Sequence, residues 1–304
     1  MSIKLFVIGG ANVDIYGQID ADNATSGDSN PGNVSIHSGG VGRNIAENLG
    51  CLGVNVEFVG HFGRDNFAVT LDQSLQKAGV STKFSYKSAT QNSDFYMAIY
   101  NKKGELISAV NDVYLVENLP TSFLKDRKKI EKIENADMVI LDGNLSEKLL
   151  TNIFDILGDK SLIAVDTVST AKAKRFRPHL SKIDYLKCNK AEAKILIAGN
   201  QNLSIQQITE QLINYGVGTA LISDSLAGFG VATNYKFQHY PAENIESSNS
   251  SGAGDALFSG FLYAICKGKS PFEAAKFALL TAEKALEFNG PVNPKISELS
   301  KFLS

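Results

Sequence analysis

The chain has 304 residues, 43% of them hydrophobic, and a formal net charge of −2 at pH 7. This length allows one large domain or two modest ones, and the composition allows a sizeable core. A net charge so near zero argues against a nucleic-acid partner, which would need a basic surface. The three cysteines, Cys51, Cys188 and Cys266, are too widely spaced for a CxxC motif, so we expect neither a disulfide framework nor a zinc site.

Predicted strands and helices alternate along most of the chain. The first apolar run ends at Gly9 and predicts a strand rather than a signal peptide. Similar short runs end at Asp142 and Asp166, and apolar residues with helical spacing occur within 45–52 and 257–265. No run approaches the roughly 18 apolar residues of a membrane-spanning helix, so we expect a cytoplasmic protein without a membrane partner.

Short strands that are apolar on both faces and lie between helices indicate a mostly parallel sheet with helices on both sides. We therefore predict an α/β fold. Ligands of such sheets bind at the carboxyl ends of the strands. The polar residues that end the predicted strands, such as Asp142 and Asp166, should therefore face the binding site.

Two regions, 12–37 and 91–111, break this alternation. In the second, Phe95, Met97 and Ile99 alternate with residues of the opposite face, and a turn follows before the chain returns, which predicts a β-hairpin. The first has no helical period and contains a cluster of turn residues. We expect the two regions to form a small β lid on a single domain that comprises the whole chain.

Candidate substrate residues follow the first strand and the next Gly-rich segment. Residues 39–46, GGVGRNIA, form a Gly-rich entry to a helix and bring Asn44 to its first turn. An amide can donate to and accept from sugar hydroxyls, and the carboxylate of Asp14 only accepts, which suits a diol. Ordinary turn chemistry is the alternative role of Asn12 and Asp14. The candidate substrate residues are Asn12, Asp14, Gly39, Gly40 and Asn44.

A candidate metal site follows the predicted strand at 183–188. Asn189 and Glu192 lie three residues apart on one helical face, where an amide and a carboxylate can order the waters around Mg²⁺. The same spacing is also typical of a helix N-cap that is followed by an acidic residue at the third helical position.

The pattern that most strongly predicts chemistry is the segment 249–256, NSSGAGDA, which precedes a helical apolar pattern. Small residues let the backbone approach a phosphate, and a helix N-terminus directs its N–H groups and positive dipole end toward it. We therefore expect Gly252, Ala253 and Gly254 to form an anion hole for a transferred phosphoryl group. Asp255 is then the candidate base that accepts a proton from an attacking hydroxyl. The alternative is a Gly-rich turn with an Asp that stabilises a helix start.

These motifs together resemble the ribokinase, or PfkB, family of carbohydrate and nucleoside kinases. Their order and spacing match along nearly the whole chain, from Gly-x-Asn-x-Asp after the first strand to Gly-Ala-Gly-Asp near the C-terminus. The resemblance implies a ribokinase-like three-layer α/β sandwich with a β lid over the sugar, ATP as the donor, and Mg²⁺. Family members often also use K⁺ near the anion hole, and Asn249 lies where such a site would begin. The nucleotide-binding residues that the resemblance implies are Asn189, Ser225, Gly228, Gly230, Gly252 and Gly254.

Within the family, the stretches 28–32, 110–112, 144–146 and 165–169 resemble those of pseudouridine kinases. This likeness implies phosphorylation of the 5′-hydroxyl of pseudouridine to pseudouridine 5′-phosphate. Two alternatives stay open: another kinase of the family that acts on ribose, fructose, adenosine or another nucleoside, and a catalytically silent ligand-binding protein. The residues implied to contact the uracil ring are Ser29, Asn30, Asn111 and Asp112.

Lids of the family often pair between subunits, so the resemblance also implies a homodimer through the lid. The apolar lid residues Phe95, Met97 and Ile99 would then form the contact. The alternative is that the same apolar residues pack on the bound ligand.

Overall fold

The computed structural model contains a large sheet, a smaller sheet, and helices that cover both faces of the larger one. It describes residues 3–158, 160–198, 203–234, 236–242 and 252–303. Within these ranges, none of the helices combines the length and the apolar character that crossing a membrane requires.

The large sheet is mostly parallel. All neighbouring strands from Thr219–Ser223 to Asn55–Val59 pair in parallel, whereas the strand Phe229–Thr233 is antiparallel to both of its neighbours. The predicted parallel sheet is therefore confirmed, and it carries an antiparallel edge that the sequence patterns did not indicate. In spatial order its strands are β14 (Lys236–Tyr240), β13 (Phe229–Thr233), β12 (Thr219–Ser223), β11 (Tyr185–Asn189), β10 (Leu162–Asp166), β9 (Met138–Asp142), β1 (Lys4–Ile8) and β4 (Asn55–Val59).

Alternate side chains of the central strands enter two hydrophobic cores, one on each face of the sheet. On β1, Val7 packs in the first core, whereas Phe6 and Ile8 pack in the second. This arrangement explains why the strands are continuous apolar runs rather than alternating sequences. Each fully buried large apolar side chain contributes roughly 1.5–3 kcal/mol, so the two cores hold the helical layers on the sheet.

The helices divide between the two cores, which gives the predicted three-layer architecture. The first core is covered by α1 (Val41–Cys51), α2 (Asn66–Lys77), α9 (Ala253–Cys266) and α10 (Pro271–Leu286). The second is covered by α3 (Tyr114–Glu117), α4 (Arg127–Glu134), α5 (Glu147–Leu157), α6 (Thr170–Ala173), α7 (Lys190–Ile197) and α8 (Ile205–Asn214). Short 3₁₀ helices span Thr121–Leu124, Lys174–Lys182, Ser225–Ala227 and Pro294–Leu303.

Helix α9, which begins in the predicted anion hole, packs closely against α10. A Cβ added to Gly260 would lie only 2.0 Å from Oγ1 of Thr281, so this glycine allows the close approach. Helix α10 itself begins in a capping box between Ser270 and Glu273, with Pro271 at its first position. Close packing against α10 therefore fixes the position of α9 on the sheet.

The small sheet is built from the two regions predicted to form a lid. The strand Asn12–Ile19 pairs with Gly32–Gly39 in antiparallel and with Asp94–Tyr100 in parallel orientation. Asp94–Tyr100 and Leu106–Asp112 form the predicted hairpin. The function of this sheet as a lid stays a prediction. In spatial order its strands are β3 (Gly32–Gly39), β2 (Asn12–Ile19), β7 (Asp94–Tyr100) and β8 (Leu106–Asp112), and β5 (His61–Phe62) with β6 (Tyr86–Lys87) forms a separate pair.

The small sheet has one polar face and one apolar face. Its register aligns Asp14 with His37 on the polar face, and Ile15 with Ile36 and Met97 on the other. Residues that are paired across strands share a face. Met97 therefore points away from any ligand held by Asp14, which contradicts the alternative in which these apolar residues pack on that ligand.

Large apolar side chains are exposed on the face opposite Asp14. Ile36 is 55% exposed, Met97 40% and Val110 56%. Phe95, which was expected to belong to this exposed set, is instead half-buried because its ring packs edge-on against Phe67 of α2 at 5.5 Å between centroids. We call the exposed set the outer apolar face; it consists of Val34, Ile36, Met97, Ile99 and Val110.

Candidate active site

The amino ends of α1 and α9 meet at the carboxyl edge of the large sheet. Asn44 lies on the first turn of α1 and donates from Nδ2 to Oδ2 of Asp255, on the first turn of α9, across 2.7 Å. Asp255 is only 7% exposed. The structure thus brings together a candidate substrate residue and the candidate base, which are 211 positions apart in the sequence.

Burial raises the pKa of Asp255 to about 7. The ammonium of Lys187 lowers this pKa, the carboxylate of Asp166 raises it, and the hydrogen bond from Asn44 lowers it again. A carboxyl group that titrates near neutral pH can accept a proton in one step and release it in the next. Its surroundings therefore fit the role of a base better than that of a simple helix-start residue.

Arg43 fixes the orientation of the Asn44 amide. Its Nη2 donates to Oδ1 of Asn44, which leaves Nδ2 of the amide directed at Asp255. The guanidinium is 1% exposed and also donates from Nε to the carbonyl of Gly39 at 2.9 Å. An ion pair with Glu47 compensates its charge. The Gly-rich motif contains Arg43 but predicts no role for it, because its partners are not apparent from spacing along the chain.

The two N-terminal Gly-rich segments are joined through a buried carboxylate. Oδ2 of Asp142 accepts hydrogen bonds from the backbone N–H of Gly10 at 2.8 Å and of Gly42 at 2.9 Å. Gly40, just before α1, has φ 98°, and a Cβ there would lie 2.5 Å from the carbonyl oxygen of Gly10. Only glycine allows this backbone conformation together with so close an approach. Asp142 was predicted only to face the site, and here it assembles the substrate loop.

Asn12 and Asp14 project from the polar face of β2. Asn12 donates from Nδ2 to Oδ1 of Asp14 at 2.6 Å, and the hydroxyl of Tyr16 donates to Oδ2 at 3.1 Å. Burial raises the pKa of Asp14, although these hydrogen bonds lower it. A Cβ on Gly39 would collide with the Asp14 carboxylate, so the Gly39–Gly40 segment lies directly against it. The candidate substrate residues thus form one contiguous group.

The predicted anion hole is the N-terminus of α9. Gly252 caps the helix with φ 80° and has no side chain, so among the described residues the N-cap position provides no side-chain acceptor for the N–H groups of the first turn. Ala253 and Gly254 form the start of this turn, directly before the base. Uncapped N–H groups at a helix N-terminus are a suitable environment for a phosphate. Asn249, the residue considered for K⁺, and Ser251 lie outside the described residues.

Lys187 and Asp166 are site residues whose pairing could not be inferred from the sequence. Asp166 is the last residue of β10, Lys187 lies opposite it within the neighbouring strand β11, and Nζ of Lys187 lies 2.8 Å from Oδ2 of Asp166. A Cβ on Gly254 would lie 3.0 Å from the same Nζ. The available signal was that Asp166 ends a predicted strand, where side chains of a parallel sheet meet the ligand. Lys187 lies within its strand and had no such signal.

Asn189 and Glu192 form the helix cap that was the alternative to a metal site. The Asn189 side chain accepts from the backbone N–H of Glu192, and Glu192 accepts from Nδ2 of Asn189 at 2.7 Å and from Oγ1 of Thr167 at 2.7 Å. Within the described ranges, no three His, Cys, Asp or Glu side chains cluster as metal ligands. These residues fit Mg²⁺ only through water, and that role stays a prediction.

The segment expected to bind the nucleotide is only partly a loop. Ser225 begins a 3₁₀ turn, and Gly228 closes it by donating to the carbonyl of Ser225 at 3.1 Å. Gly230 lies within β13, paired to both neighbouring strands, and a Cβ there would lie 2.6 Å from the ring of Phe237. The structure therefore assigns Gly230 a packing role. Gly228 is buried against the backbone of Tyr240, whereas Ser225 is exposed at the strand end.

The residues expected to contact a uracil ring are not grouped. Asn111 pairs with Tyr96 and so shares the polar face of the small sheet with Asp14, whereas Asp112 pairs with Phe95 on the opposite face. Asn30 uses its amide within its own loop, accepting from the N–H of Thr25 and donating to two carbonyls. Ser29 is exposed next to it. Of the four, Asn111 is best placed for a ligand held by Asp14.

The chain matches the family model of pfkB family carbohydrate kinases over residues 2–297. An uncharacterized sugar kinase of Escherichia coli K12 is 30% identical, and the pseudouridine kinase of the same organism is 28% identical. Both alignments cover 96% of this chain, and they cover 80% and 93% of the two relatives, respectively.

Solved structures show the same fold. The structure of Arabidopsis thaliana ribokinase complexed with ribose and ATP matches with a TM-score of 0.82 at 21% identity. The match covers 99% of this chain and 100% of the ribokinase chain. The fold is therefore ribokinase-like, with a large mostly parallel sheet and a smaller sheet.

The raised pKa of Asp255 predicts a pH-dependent change in stability. Between its ordinary pKa of 3.8 and about 7, the folded state holds a proton that the unfolded state releases, so wild-type stability falls as the pH rises through this window. Asp255→Asn cannot ionise and should gain about 2 kcal/mol of unfolding free energy relative to wild type between pH 5 and pH 8. Urea denaturation at the two pH values measures this difference.

Asp65→Asn is the matched control. Despite some desolvation, hydrogen bonds from Ser93 lower the pKa of Asp65, so this residue is ionised in both states throughout pH 5–8. Its stability difference from wild type should therefore be the same at both pH values. If the Asp255→Asn difference were also constant, the pKa of Asp255 would not be raised.

Proposed function

Since this chain belongs to the pfkB family of carbohydrate kinases, we propose that it transfers the terminal phosphoryl group of ATP to the 5′-hydroxyl of pseudouridine. The family consists of phosphotransferases with an alcohol acceptor. The observation that carries the proposal is the buried carboxylate of Asp255, held by Asn44 beside an uncapped helix N-terminus. The choice of pseudouridine is supported by the pseudouridine kinase relative and by the position of Asn111.

The sugar of the acceptor would bind on the polar face of the small sheet. The Asp14 carboxylate accepts hydrogen bonds from a pair of sugar hydroxyls, and Asn12 holds that carboxylate in place. The absence of a side chain at Gly39 lets the backbone lie directly against the Asp14 carboxylate, which brings the Gly-rich segment next to the sugar. These contacts orient the acceptor hydroxyl toward Asp255.

Asp255 then acts as the general base. Its pKa of about 7 means that a large share of the protein carries the carboxylate at neutral pH, while the protonated form can still release its proton after transfer. Asn44 holds Oδ2 through Nδ2, so the other carboxylate oxygen is available to the acceptor hydroxyl. Arg43 keeps the amide in this orientation.

The phosphoryl group would be received at the N-terminus of α9. The backbone N–H groups of Gly252, Ala253 and Gly254 point at the negative charge of the transferred group and stabilise it without reorganisation. The nucleotide would reach this point from the turn of Ser225 and Gly228, at the end of β12. Water exclusion by the small sheet would protect the phosphoryl group from hydrolysis.

Mg²⁺ is expected with the nucleotide, as in kinases generally. When bound, it neutralises charge on the phosphates of ATP. Asn189 and Glu192 would contact it only through water, since their side chains are engaged with each other.

Removal of the base tests the reaction. Asp255→Asn should lower kcat by about 10²–10⁴, because the amide cannot take the proton from the acceptor hydroxyl. KM should change little, since the amide keeps the size of the side chain. Coupled detection of ADP measures both constants, and Asp65→Asn, at the cap of α2, is the control that should retain full activity. Near-normal turnover of Asp255→Asn would contradict the assignment.

A substrate panel tests the acceptor. We expect the highest kcat/KM with pseudouridine and lower values with uridine, adenosine, ribose and fructose. Asn111→Ala should lower kcat/KM for pseudouridine by about tenfold, because a lost hydrogen bond to the base costs about 1–3 kcal/mol, and should leave ribose unaffected. Asp112→Ala, on the opposite face, is the matched control and should change neither.

A preference for ribose or another acceptor would replace pseudouridine within the same kinase proposal. A protein that binds a nucleoside in calorimetry yet yields no ADP with any acceptor would instead be the catalytically silent ligand-binding protein.

We also propose that a second copy of the chain covers the outer apolar face. This face extends over several strands of the small sheet and points away from Asp14, so a bound acceptor would leave it exposed to water. Light scattering should then give twice the monomer mass of 32.8 kDa. Met97→Asp should yield monomers, whereas Leu280→Asp, at a similarly exposed site on α10, should not. A monomeric wild type at high concentration would contradict the dimer.

A further inference from the structure

Lys187 places a positive charge beside the positive end of a helix. Its Nζ lies 3.0 Å from the point that a Cβ on Gly254 would occupy, so the ammonium contacts the first turn of α9. The N-terminus of a helix is itself electropositive, and Gly252 supplies no side-chain cap. A cation is unfavourable at this end of a helix unless an anion compensates its charge.

The carboxylate of Asp166 holds the Lys187 ammonium in place. Oδ2 of Asp166 lies 2.8 Å from Nζ, and Oδ1 of Asp166 accepts from the backbone N–H of Val168 at 2.8 Å. Val168 has φ 67°, a left-handed conformation that a β-branched residue rarely adopts. Such strained backbone persists where surrounding contacts demand it, commonly at functional sites. The turn thus aims the Asp166 carboxylate, and through it the position of Nζ.

The same turn connects this ion pair to the expected nucleotide side of the site. Thr167, between Asp166 and Val168, donates from Oγ1 to Glu192 at 2.7 Å. Lys187 itself is 12% exposed, whereas Asp166 is 1% exposed. A ligand at the helix N-terminus can therefore reach the ammonium of Lys187. The carboxylate of Asp166 is buried behind it.

We propose that Lys187 is a catalytic residue that donates from Nζ to a peripheral oxygen of the transferred phosphoryl group, and that Asp166 is its positioning residue. The inference rests on the proposed kinase function. The phosphoryl group binds between the ammonium and the N–H groups of the first turn of α9 and contacts both, while the ammonium keeps its ion pair with Asp166. Lys187 thereby neutralises charge on the group as it moves from donor to acceptor.

The phosphoryl transfer requires no proton from Lys187. The bond between the terminal phosphorus and its bridging oxygen breaks, and its electron pair leaves with ADP. The acceptor oxygen forms the new bond to phosphorus, and its proton passes to Asp255. Lys187 stays protonated throughout and donates hydrogen bonds to a peripheral oxygen.

Steady-state kinetics of Lys187→Met and Lys187→Arg test the proposal. We expect Lys187→Met to lower kcat by about 10²–10³, the range for loss of one donor to a developing charge, with KM for the acceptor little changed. Lys187→Arg should recover part of the loss, since a guanidinium also binds phosphate oxygens. Lys182→Met, which removes a lysine from an ion pair with Asp155 away from the site, should remain fully active.

A second measurement separates catalysis from structure. ADP with aluminium fluoride and acceptor mimics the transferred phosphoryl group, and Lys187→Met should bind this combination about 10²-fold more weakly, while its affinity for ADP alone is unchanged. A purely structural lysine would alter both affinities equally or neither. If Lys187→Met leaves Asp166 unpaired and does not fold, the double variant Lys187→Met/Asp166→Asn removes both charges and should show the same loss of kcat.

A folded variant without Lys187 that keeps kcat within about threefold of wild type would overturn the inference, because loss of a donor to the transferred group cannot be so mild. If the variant keeps its kcat and the wild-type protein phosphorylates an acceptor, the kinase proposal stands although the role of Lys187 does not. Wild-type protein that phosphorylates none of the acceptors would overturn both.

Discussion

The hydrogen bond between Asn44 and Asp255 joins the amino ends of two helices that come from opposite ends of the chain. Both helices pack in the same core, and both start where strands of the parallel sheet end. Helix N-termini are electropositive and favour an anion at this junction. Burial nevertheless leaves the pKa of Asp255 raised to about 7. The contact between Asn44 and Asp255 joins the proposed base and anion hole on α9 to the proposed substrate segment before α1.

Charged groups buried around this junction are costly unless they are paired. Arg43 is compensated by Glu47, Lys187 by Asp166, and the Asp142 carboxylate by backbone N–H groups. In a low-dielectric environment such networks hold their geometry firmly, since the loss of any partner leaves an unpaired charge. The site therefore has fixed electrostatics before a ligand binds, which is the condition for stabilising a moving phosphoryl group.

We assign a different role to each of the two faces of the small sheet. Asp14 and Asn111 share the face that we assign to the acceptor, and the outer apolar face points away from it. Successive side chains of a strand point to opposite faces of the sheet, so a substitution on one face leaves the side chains of the other face unchanged. Assembly and substrate binding can therefore be tested independently with single substitutions.

The sequence by itself determined the alternation of strands and helices, the parallel core, the hairpin, and Asp255 as the candidate base, because hydrophobic periodicity and Gly-rich helix starts are local properties. Only the tertiary structure decided that Glu192 is engaged in a helix cap, that Met97 faces away from Asp14, and that Lys187 meets Gly254. These facts depend on strand register and on contacts between residues far apart in the chain. Spacing along the sequence contains no information about which distant charge lies beside which helix end.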